Sequence, residues 1–266
     1  MSFKKSNKLY QFCRKLVFVY WFNIKFQINR FCRTRFNLKS KYDLLKDLKD
    51  IHCGERCFII ATGPSLTLDD LNKLRYEKTF GMNSLCKVFD NLGWETTYYG
   101  IQDKNVYIRI KDYIEKINKS KILFGSTISP DIKLNNEFFT YPLHLLNHRY
   151  SISKYTIDFS NDAFSIVYDG YSITYSLIQL AVYMGFKEIY LIGADCNYLD
   201  DKSKQHFIES GHYDANYKTA SERMIFSYKE AKKYADNNNI KIFNATRGGM
   251  LEVFPRVDLD EVLGLK

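Results

Sequence analysis

The chain has 266 residues, 45% of them hydrophobic and 16% aromatic, enough for one large domain with a substantial core and too apolar for a disordered chain. Its net charge of +9 is not spread evenly: residues 1–41 hold 11 Lys and Arg and no Asp or Glu, and the chain's 39 basic residues less those 11 leave 28 against 30 acidic ones from 42 onward, a net of −2. The globular part therefore carries no basic surplus for a polynucleotide, and nucleic acid is not an expected partner.

Between Lys15 and Lys25 lies the uncharged stretch Leu16-Val-Phe-Val-Tyr-Trp-Phe-Asn-Ile24. As a helix it spans only about 13 Å against a hydrocarbon core of roughly 30 Å, and no small-residue cleavage site follows it. Residues 1–41 read as a basic, aromatic-rich amphipathic helix. The expectation is a cytoplasmic protein held peripherally at the inner face of the cell membrane by anionic head groups; packing onto the body or a partner subunit is the alternative. The six cysteines (13, 32, 53, 57, 86 and 196) have no paired spacing, and Cys53-Gly-Glu-Arg-Cys57 lacks a second Cys or His pair to complete a zinc site. They read as reduced, mostly buried thiols.

From Tyr42 to residue 266 strand and helix patterns alternate in one domain. Strands are expected at Cys57–Ala61, Thr79–Met82, Thr97–Ile101, Ile122–Phe124, Glu188–Ile192 and Ile240–Phe243. Helices are expected at Leu68–Leu74, Ser84–Leu92, Val106–Ile117, Ser172–Met184, Ala220–Ala235 and Leu259–Leu263. The alternation predicts an α/β, Rossmann-like, mostly parallel sheet with helices on both faces. Residues 126–170, with Pro130, Pro142 and many aromatics, break the rhythm and read as an inserted lid over the sheet edge.

Arg56-Cys-Phe-Ile-Ile-Ala-Thr-Gly-Pro-Ser-Leu66 is a buried strand, a tight turn and a helix start. Gly63 allows close backbone approach, Pro64 needs no N–H partner, and Ser65 or Thr67 caps the helix. In an open α/β sheet such a turn gathers N–H groups around an anion; an ordinary strand-to-helix turn is the plain alternative. Polar residues follow the other strands too: Asn83, then Gln102 and Asp103, then Asp195 and Asn197, then Asn244 and Thr246. With Thr62, Gly63 and Ser65 they predict a crevice for a nucleotide. Ser172-Ile-Thr-Tyr175 opens an apolar helix, and the hydroxyls of Ser172 and Thr174 either bind a phosphate or merely cap it. His206 and His212, in a polar loop after Asp195, are the candidate general bases, with His144 and His148 less favoured. Arg256 reads as part of a closing turn, and Asp258-Leu-Asp260 as a helix start and not a metal site.

Three segments carry a family resemblance: Ile59-Ile-Ala-Thr-Gly-Pro-Ser-Leu66; Asp169-Gly-Tyr-Ser-Ile-Thr-Tyr175 leading into Tyr183-Met-Gly-Phe-Lys-Glu-Ile-Tyr-Leu-Ile-Gly-Ala-Asp195; and Phe243-Asn-Ala-Thr-Arg-Gly-Gly-Met-Leu-Glu-Val-Phe-Pro-Arg256. Over roughly residues 55–260 the chain resembles the MptE-like family, which includes archaeal 6-hydroxymethylpterin diphosphokinases and the Maf flagellin glycosyltransferases. More distantly it is similar to bacterial lipooligosaccharide sialyltransferases. The resemblance implies a nucleotide-sugar site, in the sialyltransferase branch for a CMP-linked nonulosonate. It places the nucleotide on Gly63, Pro64, Ser65, Asn83, Ser172 and Thr174, and the catalytic histidine at His212, with His206 second. Two positions depart from that branch: Thr62 stands for an asparagine and Phe207 for a tyrosine.

The expected activity is a metal-independent sugar transfer in bacterial surface-glycan synthesis, without a cofactor, from a nucleotide-sugar donor to a glycan or lipid-linked acceptor. One alternative is a hydroxymethylpterin diphosphokinase, which would need Mg²⁺ on Asp103 and Asp195. Another is a non-catalytic nucleotide-binding member of a glycan-assembly complex.

Overall fold

The structure, a computed structural model, describes residues 8–131, 133–134, 136–145, 157–197, 207 and 217–265. Its centre is a seven-stranded sheet of β1 (Arg56–Ile60), β2 (Thr79–Met82), β3 (Tyr98–Ile101), β4 (Lys121–Gly125), β5 (Phe138–Tyr141), β8 (Glu188–Ile192) and β9 (Lys241–Asn244). The strand order is β5-β4-β3-β2-β1-β8-β9, and every pair is parallel. β6 (Leu143–His144) and β7 (Val167–Tyr168) form a separate parallel pair.

The strands read as unbroken apolar runs because both faces are covered, and their period of two divides them between two cores. Cys57 and Ile59 of β1 join Phe80, Met82, Ile189 and Leu191 in one core. That core is closed by α5 (Ile173–Tyr183) and α6 (Tyr217–Asn237), through Leu177, Ala181, Tyr228 and Ala231 among others. Phe58 and Ile60 face the other way with Tyr99, Ile101, Tyr190 and Ile192. There they meet α2 (Leu68–Lys73), α4 (Lys104–Ile114) and α7 (Leu259–Val262), through Leu71, Ile110, Ile114 and Leu259. This is a doubly wound, Rossmann-like α/β fold. The chain winds outward from β1 to β5, then returns to lay β8 on the other side of β1, so the strand order reverses between β1 and β8.

Two stretches differ from expectation. Ser84–Leu92 is not one helix but a 3₁₀ segment, Asn83–Val88, followed by α3 (Phe89–Leu92), with Gly93 at φ 68° ending it. The left-handed φ of 47° at Asn83 tightens the entry to this segment. Residues 126–170 are not wholly an insert either. Phe138-Phe-Thr-Tyr141 is the edge strand β5, an aromatic and β-branched run stopped by Pro142, which cannot donate to a ladder.

The N-terminal helix α1 (Lys8–Arg35) is far longer than its apolar run. Its carboxyl half docks on the body. Arg33, 5% exposed, donates to the carbonyls of Phe164 at 3.0 Å and Ser165 at 2.7 Å, and Arg30 reaches the Ser165 hydroxyl at 2.6 Å. The opposite side leaves Val17, Trp21, Ile24, Ile28 and Phe31 exposed. Among the described residues no helix is long and apolar enough to cross a membrane. All six thiols are free, but only Cys57, Cys86 and Cys196 are buried, so the expectation of mostly buried cysteines holds for half of them. Cys13, on α1, and Cys53, in the turn before β1, lie at the surface.

Where α1 meets the body, Phe22 and Phe26 pack on His144, whose ring Tyr168 also touches. Among the described residues neither ring nitrogen of His144 has a hydrogen-bond partner. Burial and, secondarily, Arg30 lower its pKa to about 4, with Asp158 opposing weakly. A histidine neutral in the fold but protonated when released contributes stability that is intact above about pH 6.5 and is lost as pH falls toward 4. The expected result is a loss of about 2 kcal/mol by about pH 5, read from denaturant melts across pH, and its disappearance in His144→Phe.

Candidate functional site

At the carboxyl edge of the sheet, on the β1/β8 reversal, lies a crevice of about 110 Å³. Open α/β sheets bind ligands at such a point because the loops leaving the two central strands diverge there. Of the expected nucleotide residues, Thr62, Gly63 and Pro64 line it from the end of β1, Asn83 from β2, and Asp195 and Asn197 from β8. Ser172 and Thr174 line it from the start of α5. Met224 and Tyr228 of α6 close it, two apolar-face residues whose helical spacing says only core.

The turn after β1 is built differently from the anion cradle expected of it. Most of its N–H groups are already occupied: Gly63 donates to the Gly193 carbonyl at 2.8 Å, Leu66 to Gly63 at 3.3 Å, and Thr67 to Asp70 at 3.0 Å. Ser65 donates its hydroxyl to Asp195 Oδ2 at 2.9 Å and its N–H to the same oxygen at 3.4 Å. Ser65 thus stands behind Asp195 and outside the crevice lining. The helix α2 is capped by its own residues in a reciprocal Thr67–Asp70 box. Gly63 is required here because a Cβ would overlap the Asp195 carboxylate and the Gly193 carbonyl, so its close approach is to protein and not to ligand.

Asp195 is the hub of the crevice. It is 8% exposed, and Gly249 packs so tightly on its backbone that a Cβ there would lie 2.6 Å from the Asp195 carbonyl oxygen. Burial pushes its carboxyl above the ordinary aspartate range, with the Ser65 hydrogen bonds opposing. Its next neighbour Cys196 has a φ of 52°, and Asn83 and Tyr171 (φ 61°) are also left-handed. Strained non-glycine backbone costs of order 1–3 kcal/mol each and persists only where the surroundings over-determine it, commonly at functional sites. At Asn83 the Tyr99 hydroxyl does this by donating to the Asn83 carbonyl.

The amino end of α5 opens on the crevice. Ser172 caps it by accepting from the Thr174 N–H at 3.2 Å, so the capping alternative holds for Ser172. The N–H of Ile173, which lines the crevice, has no acceptor among the described residues. Thr174 turns its hydroxyl to Met82 Sδ at 3.5 Å. The positive end of an 11-residue helix therefore faces the cavity.

Gln102 and Asp103 do not line the crevice. Gln102 accepts from the Tyr141 hydroxyl at 3.0 Å and donates to Asp169 at 3.1 Å, and Asp169 in turn accepts from the Tyr171 N–H at 3.0 Å. Gln102 thus orients the entry to α5 through Asp169. Asp103 is the N-cap of α4, accepting from Asn105 and Val106, so it forms no carboxylate pair with Asp195. Among the described residues no group of three or more His, Cys, Asp or Glu is placed to hold a metal ion. Asn244 and Thr246 serve the backbone, Thr246 accepting from the Ala194 N–H at 3.0 Å. Arg256 is engaged by Glu252 and by carbonyls of its own turn, Asp258 caps α7, and Asp260 pairs with Lys73.

His206 and His212 lie outside the described residues, as does His148. Phe207, between the two candidate bases, donates its N–H to the Thr62 carbonyl at 2.9 Å.

Sequence reasoning missed Arg247. It grips Asp70, 1% exposed, with both terminal nitrogens and donates to the Ser65 carbonyl at 3.2 Å, tying the end of β9 to the turn after β1. Burial raises the Asp70 carboxyl, but Arg247 and Thr67 outweigh it and hold it below its ordinary range. Because Arg247 is 58% exposed, solvent screens the pair. Arg247→Ala is expected to cost about 1–2 kcal/mol, and less once pH falls far enough to protonate Asp70. Urea melts at neutral pH and near pH 3 check both statements.

Comparison with known proteins matches the geometry. A solved structure described as a MAf glycosyltransferase from Magnetospirillum magneticum AMB-1 superposes with a TM-score of 0.52 at 14% identity, over 84% of this chain and 39% of that one. The chain therefore spans about two fifths of that protein's length, and at this identity the likeness establishes the fold. No curated protein matches the sequence. The family model described as 6-hydroxymethylpterin diphosphokinase MptE-like matches residues 31–201, from the end of α1 past β8. That span carries β1, β2, α5 and the Asp195 loop, most of the crevice wall, and on it the chain belongs to the MptE-like family.

Proposed function

We propose that the chain is a glycosyltransferase that takes a nucleotide-activated sugar in the crevice and transfers it to a glycan or lipid-linked acceptor of bacterial surface-glycan synthesis. The observation that carries this reading is the convergence of Thr62, Asn83, Ser172, Thr174, Asp195 and Asn197 on one cavity at the sheet reversal. The likeness of the fold to a glycosyltransferase supports it. The donor's phosphate belongs at the start of α5, where the free Ile173 N–H and the helix dipole favour negative charge. Asp195, Asn83 and Asn197 offer an anionic acceptor and two amides for ribose hydroxyls and base edge. The departing nucleotide's charge is stabilised by the same helix end, while a histidine takes the acceptor hydroxyl proton. His212 is the first candidate for that base and His206 the second; the Phe207 tether to Thr62 supports seeking it in this loop. A CMP-nonulosonate is the donor to test first.

A second reading, diphosphoryl transfer to a hydroxymethylpterin, rests on the family's description. The capping role of Asp103 speaks against the Mg²⁺ pair it would form with Asp195. Purified protein is incubated with CMP-, UDP- and GDP-sugars, and with ATP plus hydroxymethylpterin, each with and without EDTA. EDTA-insensitive turnover of a CMP-sugar supports the first reading. Diphosphorylation replaces it, and nucleotide binding without turnover points to a non-catalytic component of a glycan-assembly complex.

The acceptor side involves α1. Its exposed Val17, Trp21, Ile24, Ile28 and Phe31, on a segment without an acidic residue, suit insertion into an anionic lipid surface. Full-length chain is expected to float with phosphatidylglycerol vesicles, and the Trp21→Ser/Ile28→Ser variant to stay behind. A stable dimer of wild type lost in that variant would assign the face to a second copy instead.

A further inference from the structure

A second cavity, of about 570 Å³, opens at the amino-terminal edge of the same sheet. Its walls are the segment before β1 (Asp50, Cys53), the turn before β8 (Gly185, Lys187) and Ile240 before β9. The length of β1 and β8 separates it from the crevice, about 15 Å at 3.3 Å per residue. Backbone bonds strap its floor: Asp50, His52 and Gly54 donate to the carbonyls of Tyr183, Met184 and Gly185. Asp50 is held at φ 57° and Gly185 at φ 96°, where a Cβ would press on Cys53. The cavity is therefore part of the fold's fixed frame.

Its chemistry is specific. Lys46, Lys49 and Lys187 face Asp50 and Asp162, a net charge of +1. Lys46 is already engaged with Asn37 and Asp43, but the exposed Lys49 and Lys187 have no ion pair and no side-chain hydrogen bond among the described residues. Tyr183 is 3% exposed, lines the cavity, and its hydroxyl has no hydrogen-bond partner among the described residues. Phe164 and Tyr234 supply apolar parts of the wall. The ring is buried while the hydroxyl stays open to the cavity, where it can donate to or accept from a ligand. Two free ammonium groups select an anion, and the carboxylates beside a phenol suit hydroxyl groups. A flat apolar ligand would leave these groups unpaired, and two carboxylates among three lysines do not make a cation site.

We propose that this cavity binds a phosphorylated sugar or polyol, with its phosphate on Lys49 and Lys187 and its hydroxyls on Tyr183, Asp50 and Asp162. The ligand is either a soluble sugar phosphate or the head group of a phospholipid. The second source is geometrically natural, because Phe164 in the cavity wall also carries the docked end of α1 through Arg33. This inference does not depend on what the crevice binds.

The test is calorimetric titration of the full chain with glucose 1-phosphate and glycerol 1-phosphate, with glucose and inorganic phosphate as comparators. At least one phosphoester is expected to saturate one site at least tenfold more tightly than glucose or inorganic phosphate. Lys49→Ala/Lys187→Ala is expected to weaken it at least tenfold, and Tyr183→Phe, which keeps the ring, about threefold or more. Unchanged melting temperatures show that the variants fold. Absence of phosphoester binding, equal binding by the double variant, or inorganic phosphate binding as tightly as the phosphoesters would overturn the proposal. Phosphatidylglycerol vesicles then separate the sources: displacement of the soluble phosphoester assigns a lipid head group, and no displacement assigns a free one.

Discussion

Gly63→Ala is expected to lower stability by about 3 kcal/mol, a fall of about 6–12 °C in melting temperature for a chain of this size. The added methyl has nowhere to go. It meets the Asp195 carboxylate and the Gly193 backbone carbonyl, and the Asp195 Cγ would lie 2.8 Å away. A flexible side chain would yield, but Asp195 is clamped by Gly249 and by the Met250 N–H, which donates to its carbonyl at 2.7 Å. Strain at Gly63 therefore passes into the floor of the crevice, and nucleotide affinity should fall with stability. Ser65→Ala is the matched comparison, since it removes the hydroxyl bond to Asp195 without adding volume. Calorimetric melts of the two variants decide the matter: a Gly63→Ala melt within about 2 °C of wild type would show that the turn is not pressed against β8.

For Asp195→Asn the expected results point in opposite directions for folding and for function. Burial holds the Asp195 carboxyl above its ordinary range. In acid, below the unfolded aspartate value of about 3.9, the group is neutral in both states and costs nothing; as pH rises through the raised folded value, keeping it ionised in the crevice costs stability. An asparagine still accepts from the Ser65 hydroxyl and carries no charge. The variant should therefore match wild type near pH 3 and be at least as stable at pH 7, as measured by denaturant melts. Nucleotide affinity, in contrast, should drop by about 10- to 100-fold at pH 7, the usual worth of a hydrogen bond to a charged group. Loss of stability without loss of affinity would make Asp195 a structural hub only, and would remove it from the ligand site.

The two substitutions separate roles that the crevice superimposes. Gly63 shapes the wall and never needs to touch a ligand. Asp195 both shapes the wall, through Ser65, and presents a buried charge to the cavity. A stability-neutral loss of binding at Asp195, together with a joint loss at Gly63, is the pattern that a ligand site built on a rigid sheet edge should give.

Residue order alone determined the alternation of strands and helices, since β2 and β8 fall on the expected residues and the ends of β1, β3, β4 and β9 shift by no more than one. Apolar runs with period two and amphipathic helices between them allow little else. The same reasoning found which loops leave the strand ends, and hence Thr62, Asn83, Ser172, Thr174, Asp195 and Asn197 as partners in one crevice. It could not say what each polar group spends its hydrogen bonds on. Gln102 and Asp103 looked like ligand residues, yet one orients Asp169 and the other caps α4. The turn at Gly63 looked like an anion cradle, yet Asp195, distant in sequence, and Asp70, three residues past Thr67, already hold donors there. β5 was hidden in an aromatic, proline-bounded stretch because a four-residue edge strand carries too little pattern of its own. Arg247, Tyr183 and the docking of α1 on His144 became visible only when the chain closed. Periodicity is a local property and is written along the chain; the pairing of a buried donor with a particular acceptor is settled by which distant segments the sheet order brings side by side.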